Sequence, residues 1–456
     1  MSIRILVTTA LVLLFTGPAN AWEVKSTGGG DPIRWSDGKV VVDVSMGAAA
    51  SISADKSESA AILALQHWSA EVPDTLVLTI ADGESDDDEI AQDGKSVIRW
   101  GVEAGPFVDP EALATTYLTY RTTTGQIMEA DIVVNAVDYE WTVVGRSHCA
   151  NRYDLQNILT HEAGHFFGLS HSQDRVESTM FPSASSCEIS KRDLADDDKA
   201  GIAFLYEDVL EPESPASLAQ LANCSTGGRS GLVVAAMVLL VLVGLRRPGP
   251  RRKEREISGL THKHAMAVLH RERKIGEVRS WMTLSGFLLL GLVLGSSTAA
   301  ASTLQFLSPQ ELSARADLVM DGEVIAQRTE LEAGWPVTIS TLKVTACQAD
   351  VCPKTIVVRQ MGGEVGEIGL VVSGVDALVP GSSVVLFLRK RGVRYQTIGM
   401  SQGVFYSKTV AGKRILVRDV HALSLVGQKT HKPLESLPFT DFKSVFGVSL
   451  KSGLVR

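Results

Sequence analysis

The sequence predicts an α/β (α+β) domain with a twisted mixed sheet in its amino-terminal half, followed by a second, small β-rich and barrel-like domain. Three observations predict it. Residues 58–71 (ESAAILALQHWSAE) carry apolar side chains at helical spacing, with strand-like runs on either side. Residues 114–135 read as a hairpin that turns at Thr124-Gly125 and leads into a second helix. Beyond residue 303, runs of strand-forming residues alternate with turn signals and contain only one short helix. A chain of 456 residues with 45% hydrophobic and 6% aromatic residues is long enough for two or three such domains. Its net charge of −8 and the lack of an extended basic stripe on the first domain argue against nucleic acid as a partner.

In chain order, residues 1–21 come first. A basic start at Arg4, an apolar run from Ile5 to Phe15 and the small residues Ala19-Asn20-Ala21 read as a secretory signal peptide. The run is too short to span a membrane, and export to an extracellular or cell-surface location is expected. The first domain then occupies 22–210. PIRWSDGKVVVDVS (32–45) alternates as a strand pair or bent strand, and DTLVLTIAD and SVIRWGV read as further strands. ESDDDE (84–89) is a solvated acidic loop or a Ca²⁺ site. DLQNILTHEAGHFFGLS is the second helix, with Asp154 as N-cap and Gly168 as its stop. Cys149 and Cys187 flank it and are either disulfide partners in an oxidising compartment or two buried thiols.

That helix contains HEAGHFFGLSH (161–171). His161 and His165 are four residues apart and share one helix face, Glu162 projects beside them, and Gly168 lets the chain leave the helix and bring back His171. Three neutral imidazoles suit one tetrahedral Zn²⁺ whose fourth position stays open for water, the arrangement of catalytic sites. Glu162 is then the general base.

With these residues the chain resembles the matrixin-type metzincin zinc metallopeptidases, whose signature HExxHxxGxxH is followed by a methionine turn. STMFP (178–182) sits where that turn belongs, with Met180 as its methionine and apolar support. Ser172 after the third histidine points to the matrixin branch. LADDDKAGIAFLY (194–206) resembles the carboxy-terminal helix, with Asp197 and Asp198 matching the paired acids, and EADIVVN (129–135) resembles the strand before the active-site helix. The resemblance covers about residues 30–208. It implies a metzincin catalytic domain, protein or peptide substrates lying extended along an edge strand near 130–137, and a primed-side pocket lined by Phe181 and Pro182. The chain departs from better-known matrixins in having no cysteine within 22–60, no histidine within 100–147, and a longer gap from His171 to Met180.

After Tyr206 the composition changes. EPESPASLAQ opens a linker (211–230), and Cys224 precedes the apolar run 231–245 and then Arg246 and Arg247. As a helix that run covers about 22 Å against a hydrocarbon core of about 30 Å. It resembles the MYXO-CTERM class of sorting tails, with Cys224 as the processing or anchoring residue; a plain membrane anchor is the alternative. The basic segment 246–281 is expected to stay cytoplasmic. Residues 282–302 then read as a second signal-like or transmembrane segment. The chain therefore reads as two exported proteins joined, with a natural start at Met266 or Met282 as the alternative. In the β-rich domain (303–456) Cys347 and Cys352 are placed to close a disulfide, and GGEVGEIG (362–369) reads as turns rather than a phosphate loop. No catalytic constellation is found there. Two function classes compete: a secreted or surface-anchored zinc endopeptidase, favoured by the intact Glu162, and a noncatalytic zinc-containing adhesion or binding protein.

Overall fold

The computed structural model describes residues 22–49, 52–81, 90–103, 109–144, 148–172, 175–181, 183–207, 303–375, 377–418, 424–426 and 436–452. The expected signal peptide, acidic run 84–89, Cys224 tail, apolar runs 231–245 and 282–302 and basic segment 246–281 lie outside the described residues. Among the described residues no helix is long and apolar enough to cross a membrane. All of them belong to one compact unit, 1–210 together with 298–456.

The first part is built as expected from strand, helix and strand. β1 (Lys39–Ser45) alternates cleanly, with Val40, Val42 and Val44 buried. α1 (Ala54–Ser69) then crosses over and returns the chain to β2 (Val77–Ala81), which lies parallel to β1. β3 (Ser96–Gly101) pairs parallel with β1, and β4 (Ala112–Arg121) turns through Gly125 into β5 (Ile127–Asn135). The order is β2-β1-β3-β5-β4, parallel except for β4. The expectation of an edge strand near 130–137 is therefore corrected. β5 takes an interior position because β3 pairs with it on one side and β4 on the other, so β4 is the outer strand of this part. The small pair β6 (Trp141–Thr142) and β7 (Tyr153–Asp154) leads into α2 (Leu155–Phe166). β8 (Ser183–Ala184) and α3 (Asp196–Tyr206) complete this part.

α2 packs against α1 and against β4 and β5, while α1 also meets β1 and β2, and one core running from Ile33 to Tyr206 joins them. Indole Nε1 atoms tie the packing to backbone: Trp68 on α1 donates to Thr160 O at 2.7 Å, and Trp35 donates to Phe166 O at 3.2 Å.

The second part begins at β9 (Thr303–Gln305) and α4 (Pro309–Arg315), the latter with Ser308 and Glu311 in a capping box. Long β10 (Leu318–Glu332) and β11 (Trp335–Cys347) form a hairpin, followed by β12 (Thr355–Met361) and the small hairpin β13 (Gly363–Val365) and β14 (Ile368–Val372). β15 (Ser383–Arg391), β16 (Arg394–Thr397), β17 (Val404–Val410), β18 (Lys413–Val417), β19 (Ser424–Val426), β20 (Ser436–Pro438) and α5 (Phe442–Phe446) complete it. β10 pairs with both β11 and β15, so the sheet curls. It is not closed as a barrel. β12 and β16 meet through a single register pair, Val358 with Tyr395, whereas β16 pairs along all four of its residues with β15. Cys347 and Cys352 are joined in a disulfide, with Cα atoms 5.8 Å apart. Two apolar clusters drawn only from residues 307–450 give this part its own core.

Candidate active site

α2 starts where a carboxylate can satisfy its free N–H groups. Asp154 accepts from Asn157 N at 2.9 Å and is gripped by Arg192 through Nε at 2.8 Å and Nη2 at 2.5 Å. The helix ends at Phe167, and Gly168 takes φ +98°, where an added Cβ would overlap Ile33 O. This turn carries His171 back toward His161 and His165. All three rings are buried, with centroids 4.8 to 5.2 Å apart and one nitrogen of each within 4.8 Å of the others.

The outer hydrogen bonds fix which nitrogen faces inward. His161 Nδ1 lies 2.6 Å from Thr179 O and His165 Nδ1 lies 2.9 Å from Leu169 O. A carbonyl only accepts, so each Nδ1 carries the proton and each Nε2 presents a lone pair. His161 Nε2 is 3.1 Å from His171 Nε2 and 3.2 Å from His165 Nε2. Burial holds the His161 and His165 pKa values well below the ordinary value, which keeps the rings neutral. Converging neutral imidazole lone pairs are the donor set that a Zn²⁺ ion needs.

Beneath the trio lies the methionine turn. Met180 is buried, and its Sδ sits against Gly164, where an added Cβ would overlap both Sδ and the Trp68 ring. Asp198, at the start of α3, organises the turn by accepting from Thr179 N at 2.6 Å, Met180 N at 3.0 Å and the Ser178 hydroxyl. Asp197 accepts from the Ser172 hydroxyl at 2.6 Å. Residues 34–207 match the matrixin family model. The chain therefore carries a matrixin-type domain, which places it among zinc metallopeptidases and implies protein or peptide substrates. No match is found among curated proteins.

In the matrixin domain Glu162 lies beside the histidines with its carboxylate fully buried, and burial pushes its pKa up to about 7. Oε2 accepts from the Thr116 hydroxyl at 2.7 Å, while Oε1 accepts from Thr303 N at 3.1 Å and the Thr303 hydroxyl at 2.8 Å. Cys149 and Cys187 are joined in a disulfide, Cα atoms 5.4 Å apart. Phe181 is half-buried and its carbonyl accepts from Lys191 Nζ; Pro182 lies outside the described residues. Among the described residues the three histidines are the one group of metal-ligating side chains found together, and no calcium site is supported.

Three contributors were not legible in the sequence. Thr116 sits in the buried strand β4, 46 positions from Glu162, and Thr303 lies 141 positions away. Lys25 is buried near Glu162 and His165, and burial lowers its pKa to about 7, yet it occupies an ordinary polar position in the amino-terminal segment.

Proposed function

We propose that this protein is a secreted or surface-anchored zinc-dependent endopeptidase whose matrixin domain hydrolyses peptide bonds in extended segments of other proteins. The observation that carries this reading is the intact Glu162 carboxylate, aimed into the cleft beside three converging imidazoles. His161, His165 and His171 would hold the zinc. A bound Zn²⁺ supplies Lewis acidity to the scissile carbonyl and lowers the pKa of water toward neutrality.

The remaining steps belong to the chain. Glu162 accepts a proton from the attacking water and returns it to the leaving amine. The Thr116 hydroxyl holds Oε2 and so orients Oε1 toward the cleft. Thr303 N of β9 donates to Oε1 at 3.1 Å, which supports Oε1 as the oxygen that hands the proton to a leaving nitrogen. β4 offers the main-chain groups against which an extended substrate would align. The signal-like residues 1–21 and the disulfides support export.

The core of the matrixin domain is drawn from residues 33–206, so residues 22–207 expressed with zinc are a suitable test. They should cleave a quenched-peptide library in a chelator-sensitive manner. Glu162→Gln should lower that cleavage by about 10²- to 10⁴-fold while zinc content is unchanged. A folded, zinc-loaded domain that cleaves nothing would leave the noncatalytic binding reading in its place.

A further inference from the structure

An extended substrate needs three things from the matrixin domain: the main chain of β4, the Glu162 carboxylate, and the gap between β4 and β8 beyond the methionine turn. The second part of the chain takes all three. β9 runs antiparallel to β4 with Leu304 opposite Ala112 and Thr303 opposite Ala114, and Gln305 N donates to Glu111 O at 2.8 Å. β14 pairs antiparallel with the rest of β4, from Ile368 opposite Arg121 to Val372 opposite Tyr117, and Ser373 N reaches Thr116 O at 3.2 Å. β19 lies parallel to both β9 and β8 and completes the sheet across the gap. Thr303 and Leu304 are fully buried.

We propose that the domain beginning at Thr303 is an inhibitor of the matrixin domain, holding β9 in the cleft in the manner of a substrate strand and engaging Glu162 through Thr303. The proposal rests on the peptidase reading above.

A substrate strand alone would make the same cleft contacts, but this domain is also fastened away from the cleft. Glu111, 1% exposed at the start of β4, receives Arg389 at 2.6 Å and Arg315 at 3.1 Å, from β15 and α4. On the other side, Glu364 accepts from the Tyr120 hydroxyl and from Gly28 N, each at 2.9 Å. The Tyr120 ring lies against Gly369, where an added Cβ would overlap it. Trp335, Leu370 and Val372 pack with Ile90, Tyr117 and Val133 of the matrixin domain. These anchors come from separate elements of a part with its own core, so the strand is presented rigidly and little conformational entropy is lost in holding it.

The test uses the full zinc-loaded chain, the double variant Arg315→Glu/Arg389→Glu, and Gly369→Leu, which acts from a different element. Two readouts are needed: amide exchange along residues 112–121, which reports an opened cleft, and hydrolysis of quenched peptides. In either variant exchange should rise and hydrolysis should increase at least about tenfold over the parent, and adding Glu162→Gln should remove the gain. An opened cleft with hydrolysis no greater than in an active parent overturns the inhibitor. So does release of the second domain as a cleavage product at the same rate as peptide turnover, since it would then be a substrate. A zinc-loaded chain that shows an opened cleft and no hydrolysis at all overturns the peptidase reading, and the inhibitor with it.

Discussion

Gly164 shows how much of the site depends on the absence of a single carbon. It stands between the two helix histidines, where Met180 Sδ and the Trp68 ring occupy the space that a Cβ would take. A second burial effect sits on β5. Glu129 is 2% exposed, accepts from Gly94 N at 2.6 Å, and burial, aided by the nearby Asp93 charge, pushes its pKa from 4.5 to about 7. Asp131, two residues on, is likewise raised by burial and by Glu129. A raised carboxyl pKa means that the folded state retains a proton already released by the unfolded chain between pH 4.5 and 7. The stability this confers is full below pH 4.5 and lost as pH rises through 7. Glu129→Gln should therefore stabilise the protein by about 2 kcal/mol at pH 8 and change little near pH 4, as read by urea unfolding at the two pH values. Equal effects at both would show that the carboxyl is not buried in the ionised form.

α2 was readable almost to its ends because its signals are local. Asp154 as N-cap, the four-residue histidine spacing and Gly168 as the stop all act within one or two turns. What the spacing did not contain is Arg192, which closes on Asp154 from 38 residues away. Asp154→Ala removes a cap and leaves that guanidinium without its carboxylate, so it should destabilise the matrixin domain by about 3 kcal/mol, with Asp154→Asn recovering about 1 kcal/mol through the cap alone. A thermal-unfolding series of the three proteins checks this. The sheet was less readable. β4 and β5 are both largely buried strands of similar composition, so nothing in their pattern states which is outermost; pairing with β3 settled that. The glycine cluster at 362–369 was expected to be turns, but it holds one turn at 366–367 between β13 and β14, of which β14 lies on β4, and Gly369 is needed there to admit Tyr120.

Metal and fold should be coupled in the molecule as a unit. One nitrogen from each of the three buried histidines converges in the folded protein, a donor set that the unfolded chain does not hold together, so zinc binds the folded state in preference to the unfolded chain. Chelation should lower the unfolding temperature by an amount equivalent to about 4 kcal/mol when free zinc had stood near a thousand times its Kd, and restoring zinc should recover it. Calorimetry with and without chelator measures this, and an unchanged transition would show that the trio does not hold metal tightly. Local spacing was enough to expect His161, His165 and Glu162 on one helix with His171 returning beside them, since helix geometry and the Gly168 stop act over three to ten positions, and the fold does bring the three histidines together. The occupation of β4 by β9 and β14, and the reach of Thr303 to Glu162, join positions more than a hundred residues apart. Strand pairing at that range depends on which edge is left open and which free strand folds against it, and no periodicity along the chain encodes that choice.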